Sequence, residues 1–387
     1  MITSPLRIEM VLPTLEAAGM EVMAARMARA FAARGHEVGI TCLERGGALA
    51  DDLVANGCSV AVVAAPGFRS NFHAPRLETW FRRRRPDVVH AHSGVWLKTV
   101  RAARRANVPR VVHTLHGLLD YEPWYGPELK RWAARYTDRI AAVSEPLRDY
   151  LVQECRIHPH KVDVILNGVD TEHYRPRSRT GALRGRLGIG DDELVVGIIA
   201  RLAPVKNHRL LLDAFARVHE EVPEARLVMV GDGPLRPALE ARVRELKLES
   251  TALFIGEAAD VAEVHPDLDL VVLPSKAEGT SMSVLEAMAS GVPVVASAVG
   301  GTPQLLDHGG CGILVPPDDV RALANALVAS LRDVRQLRAL AAAARARVVA
   351  LYGEQAMLAA YEALYRGGRV TSEFPREVLT PTGQCVA

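Results

Sequence analysis

Short runs of β-branched residues alternate with longer helical patterns along nearly the whole chain, and this alternation restricts the possible folds. The first two runs, residues 7–12 and 37–42, flank residues 20–34, whose apolar positions recur at three- and four-residue spacing until Gly35. A strand, a helix and a second strand in this order form a βαβ unit. Its repetition predicts an α/β fold in which helices cover both faces of a parallel sheet.

The pattern pauses once and then restarts, which divides the chain into two units. Residues 167–187 are rich in Arg, Pro, Gly and Ser, and a near-continuous apolar run follows at 194–200. We therefore expect two tandem doubly wound, Rossmann-like domains that face each other across a cleft. The expected domains are residues 1–172 and 173–353, with a helix at about 354–366 that packs back on the first domain and a loose tail at 367–387.

The other expected strands are short and apolar. They lie at residues 59–64, 88–91, 110–114 and 139–143 in the first domain and at 226–230, 252–255, 270–273 and 292–296 in the second. Ligands of parallel sheets bind beyond the carboxyl ends of the strands, and clefts between domains are preferred ligand sites. The residues that follow these strands are therefore the first candidates for a functional site.

Charge and cysteine usage narrow the class of protein. The formal charge is only +2, which argues against a dedicated nucleic-acid binder. Residues 1–170 hold 23 Lys and Arg against 18 Asp and Glu, a net of +5, and the remainder holds 24 against 27, a net of −3. Five scattered cysteines without a CxxC spacing indicate reduced thiols in a cytoplasmic protein. Glu9 interrupts any signal-peptide core, and no apolar run reaches the roughly 18 residues of a membrane span.

Two cations follow the apolar run at 194–200. Arg201 and Lys206 are five positions apart and could clamp a diphosphate from two sides, because Arg offers a planar fork of donors and Lys a mobile point charge. The same two charges also fit an ordinary solvated loop.

Two carboxylates, Glu278 and Glu286, follow the strand at 270–273 and are eight positions apart. We place Glu278 in a loop and Glu286 about one turn inside a helix that begins near Ser281. Amides at the start of such a helix favour a phosphate, and a carboxylate within it can accept hydrogen bonds from two ribose hydroxyls. Glu286 also fits a purely structural role as an acidic residue near a helix start.

Other signals are weaker. Glycine turns follow several strands, and histidines recur in three pairs: His90 and His92, His113 and His116, His158 and His160. No Cys or carboxylate framework surrounds the first two pairs, so we expect no metal site and no cofactor. His116 follows a strand end, where a ligand-facing residue would lie.

Aromatic residues lie beside basic residues in the first domain. Trp80 and Phe81 precede the arginines at 82–85, and a second segment runs from Tyr121 through Trp124 to Trp132. Such segments suit an anionic membrane surface, and they equally suit a solvated helix face.

Taken together, the motifs resemble glycosyltransferase family 4, whose members use nucleotide sugars and adopt the GT-B fold of two facing Rossmann-like domains. The resemblance extends from about Arg7 to Tyr365. Glu278 and Glu286 fit the family's E-x7-E motif, and the Arg–Lys pair fits its diphosphate-binding pair. Further matches are the linker signature at residues 167–170 and first-domain segments at 35–38, 87–92 and 113–117.

The resemblance implies roles for the matching residues. Arg201 and Lys206 would hold the diphosphate as a leaving group, Glu286 would bind the ribose, and Glu278 would bind the donor sugar. His116 would face that sugar from the first domain. The remaining expected donor-binding residues are Gly19, Phe254, Gly256, Gly279, Thr280, Ser281, Met282 and Leu285. Thr280 and Ser281 stand where the family usually has Phe and Gly, which bears on the identity of the donor.

The resemblance further implies a retaining, metal-independent transferase. The donor would be a nucleoside diphosphate sugar, UDP-linked by default, and the acceptor a saccharide or lipid-linked saccharide in exopolysaccharide or envelope glycan synthesis, with peripheral contact to the inner face of an anionic membrane. The alternatives are another GT-B enzyme, such as a nucleotide-sugar 2-epimerase or a glycogen-type synthase, and a non-catalytic nucleotide-binding subunit. The E-x7-E spacing disfavours the epimerase, and the intact set of Arg, Lys and two Glu disfavours the non-catalytic subunit.

Overall fold

The computed structural model describes residues 4–16, 19–118 and 123–370. The first sheet has seven parallel strands: β1 (Arg7–Leu12), β2 (Glu37–Cys42), β3 (Ser59–Val62), β4 (Val88–Ala91), β5 (Arg110–Leu115), β6 (Arg139–Ala142) and β7 (Val162–Val164). Their order is β3-β2-β1-β4-β5-β6-β7, so the chain winds outward from β1 in both directions. The register is regular, with Ile8 of β1 opposite Val38 on one side and Val88 on the other.

The described residues of this first unit form six α-helices: α1 (Gly19–Ala33), α2 (Ala50–Ala55), α3 (Pro75–Arg84), α4 (Trp96–Arg105), α5 (Gly126–Arg135) and α6 (Glu145–Gln153). They cover both faces of the sheet, because one apolar cluster gathers Phe81, Val100 and Leu151 and another gathers Met27 and Phe31. Burial of these faces is the main stabilising term of the layer.

The second sheet has six parallel strands: β8 (Leu194–Ile199), β9 (Ala225–Val230), β10 (Ala252–Gly256), β11 (Leu270–Leu273), β12 (Val294–Ser297) and β13 (Ile313–Val315), in the order β10-β9-β8-β11-β12-β13. Its helices are α7 (Ala182–Leu187), α8 (His208–Glu221), α9 (Arg236–Glu245), α10 (Met282–Ala289), α11 (Thr302–Leu305), α12 (Val320–Arg332) and α13 (Val334–Leu351). Two apolar clusters lie on its opposite faces. The expected fold class, two tandem doubly wound α/β domains, is confirmed.

The last helix, α14 (Glu354–Tyr365), returns to the first sheet. Leu358 and Tyr361 are buried in the same cluster as β1 and α1. The return is tightly packed, because a Cβ on Gly168 would lie 2.7 Å from the Glu354 Cα, and Val169 forms an isolated parallel bridge with Gly353. The chain thus crosses between the two units twice, at the linker and again just before α14, and the two crossing segments lie side by side.

Strand ends and two whole strands differ from the sequence-based expectation. β7 and β13 are three residues long and were not predicted, because so short an apolar run carries no clear periodicity. The strand expected at 292–296 is observed at Val294–Ser297, and that expected at 59–64 ends at Val62.

Four of the five cysteines, at positions 42, 58, 155 and 311, are buried, and Cys385 lies outside the described residues. Tyr121 of the expected aromatic segment and Ala18 before α1 also lie outside them. Among the described residues, no helix has both the length and the apolar character needed to cross a membrane.

His208 opens α8 as a buried polar residue. It is 1% exposed, and neither ring nitrogen has a hydrogen-bond partner among the described residues. Burial, with a smaller contribution from Lys206, lowers the pKa of His208 to about 4. The unfolded chain binds a proton at His208 more readily than the folded protein does. The free energy of unfolding therefore decreases as the pH falls from about 6.5 toward 4.

We expect His208→Leu to keep or raise the thermal midpoint at pH 7.5 and to raise it more at pH 5, because the apolar side chain fills the site without a titrating group. The exposed His73 provides the control, since His73→Leu should change the midpoint equally at both pH values. Equal effects of His208→Leu at the two pH values would contradict the assignment.

Candidate active site

The loop between β11 and α10 brings one cation and one carboxylate together. Lys206 follows β8 in a short 3-10 turn, and its Nζ lies 2.6 Å from Oε1 of Glu278 in this loop. Ser275 Oγ donates to the same carboxylate oxygen at 2.6 Å. The Glu278 side chain is 7% exposed and that of Lys206 24%, so a charged pair stands at the carboxyl edge of the sheet with the cation side more open.

Arg201 lies at the end of β8 and is exposed. Its charge acts on Glu16 and Glu21, which belong to the first domain. Burial raises the pKa of Glu21, and the field of Arg201 opposes that shift. Arg201 therefore lies within electrostatic range of the start of α1, where Gly19 is exposed as the first residue of the helix.

The two domains approach each other closely at Gly279. A Cβ at this position would overlap the main-chain carbonyl of His116, which ends the β5 segment of the first domain. Thr280 Oγ1 donates to the carbonyl of Val143 at 2.5 Å, and Asn167 Nδ2 donates to the carbonyl of Thr280 at 3.3 Å. The loop that carries Glu278 is thus bound directly to the first domain.

The start of α10 is capped and packed. Ser281 is the N-cap and accepts from the Val284 amide at 3.5 Å. Met282 packs against apolar clusters of both domains. Leu285 is fully buried in the core of the second domain, so its side chain does not reach the cleft and only its main chain could contact a donor.

Glu286, one turn into α10, is engaged by the first domain. Nη2 of Arg26, on α1, lies 2.7 Å from its Oε1 and also donates to the Tyr174 hydroxyl at 2.9 Å. Burial raises the pKa of Glu286, and the Arg26 charge opposes that shift. The second carboxylate of the expected pair is therefore separated from the first and has its own cation.

His116 belongs to a buried histidine cluster at the ends of β4 and β5. Its Nε2 lies 2.8 Å from Nδ1 of His92, and the His90 and His92 rings are 4.2 Å apart. His90 also contacts the Tyr365 hydroxyl of α14 at 2.7 Å. Burial lowers the pKa of His116 to about 4, so the ring is neutral at physiological pH.

Phe254 and Gly256 lie at the far end of the same sheet edge. The Phe254 ring lies under the Arg236 guanidinium, 5.7 Å from it, and the Gly231 amide donates to the Gly256 carbonyl at 2.8 Å. β10 is three strands from β11, which at about 4.8 Å per strand places these residues roughly 14 Å from the Glu278 loop along the edge. They do not contact the charged pair.

Asp267 has a structural role. It is buried and accepts from the amides of Thr180, Gly181 and Leu183, which fixes the linker to the second domain. Within the described residues, no group of three or more His, Cys, Asp or Glu side chains is arranged to hold a metal ion.

Four contacting residues were not singled out from the sequence as site residues: Arg26, Tyr174, His92 and Ser275. Arg26 is one of several arginines on an amphipathic helix, and its partner is 260 residues away. His92 had a signal, because it follows a strand end as His116 does. Ser275 directly precedes the motif, so its position in the same loop was the available signal.

Two family models match the chain. "Glycosyltransferase Family 4" matches residues 17–173, and "Glycosyl transferases group 1" matches residues 193–333. The two spans correspond to the first and the second sheet. With the relatives described next, they show that the chain belongs to the family 4 glycosyltransferases, and it is therefore a glycosyltransferase.

Two curated relatives are similar over both domains. The chain is 31% identical over 261 residues to an Escherichia coli UDP-Gal:alpha-D-GlcNAc-diphosphoundecaprenol alpha-1,3-galactosyltransferase, covering 64% of this chain and 67% of the relative. It is 30% identical over 305 residues to a Bacillus anthracis N-acetyl-alpha-D-glucosaminyl L-malate synthase, covering 76% and 77%. These matches do not favour the epimerase or the non-catalytic alternative.

The fold also matches solved structures. Anabaena HepE in complex with UDP and glucose superposes with a TM-score of 0.82 at 23% identity, covering 94% of this chain and all of that one. At this identity the match establishes the fold, which is the GT-B arrangement of two facing domains.

Proposed function

We propose that this glycosyltransferase transfers a sugar from a UDP-sugar to a saccharide or lipid-linked saccharide acceptor, with retention of anomeric configuration. The observation that carries the proposal is the Lys206–Glu278 pair at the carboxyl edge of the second sheet, in a loop closed against His116 of the first. The E. coli relative is named for a UDP-sugar donor and a diphosphoundecaprenol-linked acceptor, which supports the choice of both.

The proposed donor extends along the edge of the second sheet. The diphosphate lies at Arg201 and Lys206, whose fixed charges stabilise the charge that develops on the leaving group. The start of α10 offers main-chain amides at Gly279 to Met282, which favour a phosphate as well. The base lies toward Phe254 and Gly256, roughly 14 Å along the edge, so an extended nucleoside diphosphate spans the sites.

The donor sugar is proposed to lie between Glu278 and His116. Lys206 releases part of its contact with Glu278 as the diphosphate enters, because a phosphate oxygen competes for the ammonium. Glu278 then accepts hydrogen bonds from sugar hydroxyls. His116 is neutral and supplies a ring nitrogen, not a charge. The acceptor approaches from the first domain on the face of the leaving diphosphate, which takes the acceptor proton.

Domain closure supplies orientation and excludes water from the reacting carbon. The proposal assigns no metal to the reaction, because Arg201 and Lys206 supply the positive charge. The first domain, residues 1–172, is proposed to bind the acceptor and the second, residues 173–353, the donor.

We expect Lys206→Ala to lower kcat by about 100-fold or more with little change in fold, because a charge aimed at the transition state typically contributes 10²–10³ in rate. Lys276 provides a matched control, since it is 52% exposed in the same segment as Glu278, and Lys276→Ala should keep near-normal turnover.

The assay measures release of UDP with UDP-sugar donors and crude lipid acceptors in the presence of EDTA. Near-normal turnover of Lys206→Ala would contradict the assignment of the leaving-group site. A requirement for added Mg²⁺ would contradict the metal-independent part of the proposal.

We also propose peripheral membrane contact through an aromatic patch formed by Phe68, Phe72, Trp124, Tyr125 and Trp132. Trp124 is 91% exposed and Phe68 54%, and the Phe68 and Tyr125 rings are 6.2 Å apart. The Arg101 guanidinium lies 4.7 Å from the Trp132 ring. Exposed Trp and Phe beside arginines suit the interface of an anionic bilayer, and the first 170 residues carry a net +5.

We expect the double variant Phe68→Ser/Trp124→Ser to bind vesicles of 30–50% phosphatidylglycerol at least about 10-fold more weakly than the parent protein, because two large apolar side chains are lost from the interface. Val349→Ser is the control, since this valine is 51% exposed on the second domain. Equal vesicle binding by the parent and the double variant would contradict the membrane proposal.

A further inference from the structure

Arg26 connects the two domains at the carboxylate assigned to the ribose. It lies on α1 of the first domain, and its guanidinium donates across the cleft to Glu286 on α10 at 2.7 Å. The same nitrogen donates to the Tyr174 hydroxyl at 2.9 Å, and the guanidinium lies over the Tyr174 ring, 5.4 Å from its centre. The arginine is therefore held by two partners and not by a single flexible ion pair.

The Glu286 carboxylate needs such a cation. The residue is 6% exposed, and burial raises its pKa. The groups that face it are Arg26 from α1, Tyr174 from the linker and Asp260 beyond β10, of which only Arg26 is positive. Without that charge, burial and Asp260 would both favour the protonated acid, which turns one acceptor oxygen into a donor.

An ionised carboxylate has about four lone-pair sites. Arg26 occupies one of them. The remaining sites are enough to accept from both hydroxyls of a ribose diol.

We infer that Arg26 is a positioning residue for the ribose of the nucleoside diphosphate, acting through Glu286. It holds the carboxylate ionised and in one orientation, so that both ribose hydroxyls can donate to it. The inference rests on the proposed function, because it takes Glu286 as the ribose-binding residue. It adds that a first-domain side chain completes the nucleoside site, so that nucleotide affinity depends on closure of the two domains.

The test compares two nucleotides by isothermal titration calorimetry. UDP carries the ribose hydroxyls and 2′,3′-dideoxy-UDP lacks them, so the ratio of their Kd values isolates the hydroxyl contacts. Hydrogen bonds to a charged partner contribute about 1.5–3 kcal/mol, so the parent protein should bind UDP at least about 10-fold more tightly than the dideoxy analogue.

Arg26→Met is expected to weaken the binding of UDP by about 10-fold or more and that of the dideoxy analogue by less than about twofold, so that the two Kd values become similar. Arg26→Lys keeps the charge and should restore part of the difference between the two Kd values. Arg29, one turn along the same helix, pairs with Asp52, so Arg29→Met is the matched control and should leave both affinities unchanged. Should Arg26→Met fail to fold, Tyr174→Phe removes the hydroxyl beside the pair and should reduce the ratio in the same direction.

Equal weakening of both nucleotides by Arg26→Met would overturn the inference, because Arg26 would then only hold the domains together. Tighter UDP binding by Arg26→Met would also overturn the inference, since it would mean that Arg26 competes with the ribose for Glu286. If the parent protein bound no UDP at all, the proposal that the donor is a UDP-sugar would be contradicted, and the role of Arg26 would fall with it. If the parent bound both nucleotides equally, the assignment of Glu286 to the ribose would fail, although UDP binding would stand.

Discussion

The close approach of Gly279 to the His116 carbonyl is the constraint on which the rest of the site depends. Only a residue without a side chain fits there, because a Cβ would overlap a main-chain atom that cannot move aside alone. The approach brings the end of β5 in the first domain onto the loop after β11 in the second. Glu278 on that loop and His116 on that strand end are then neighbours in space, although they are far apart in sequence.

The charges of the cleft are arranged locally and not through bulk charge. Lys206 neutralises Glu278 and Arg26 neutralises Glu286, while Arg201 is exposed at the end of β8. The second part of the chain, with its net charge of −3, thus contains two buried carboxylates, Glu278 and Glu286, and each of them is paired with a cation. Affinity for an anionic donor follows from where these few groups lie, since salt screens distant surface charges and hardly affects buried pairs.

Much of this arrangement could be predicted from the sequence. Apolar runs of four residues or more located most strands, and the apolar pattern after Ser281 correctly placed Glu278 in a loop and Glu286 one turn inside α10. The Lys206–Glu278 contact was not predictable, because it depends on how two strand ends meet. Arg26 was missed for a similar reason: the period of α1 distinguishes buried from exposed positions but not which distant carboxylate an arginine will reach. Leu285 belongs to the motif by position, and the motif alone does not reveal that its side chain lies in the core.

A crystal structure with UDP bound tests the donor site most directly. We expect diphosphate oxygens within hydrogen-bond distance of Lys206 and Arg201, the ribose hydroxyls on Glu286, and the base beside Phe254 and Gly256. A nucleotide bound in the first domain, or one whose diphosphate lies away from Lys206, would contradict this expectation.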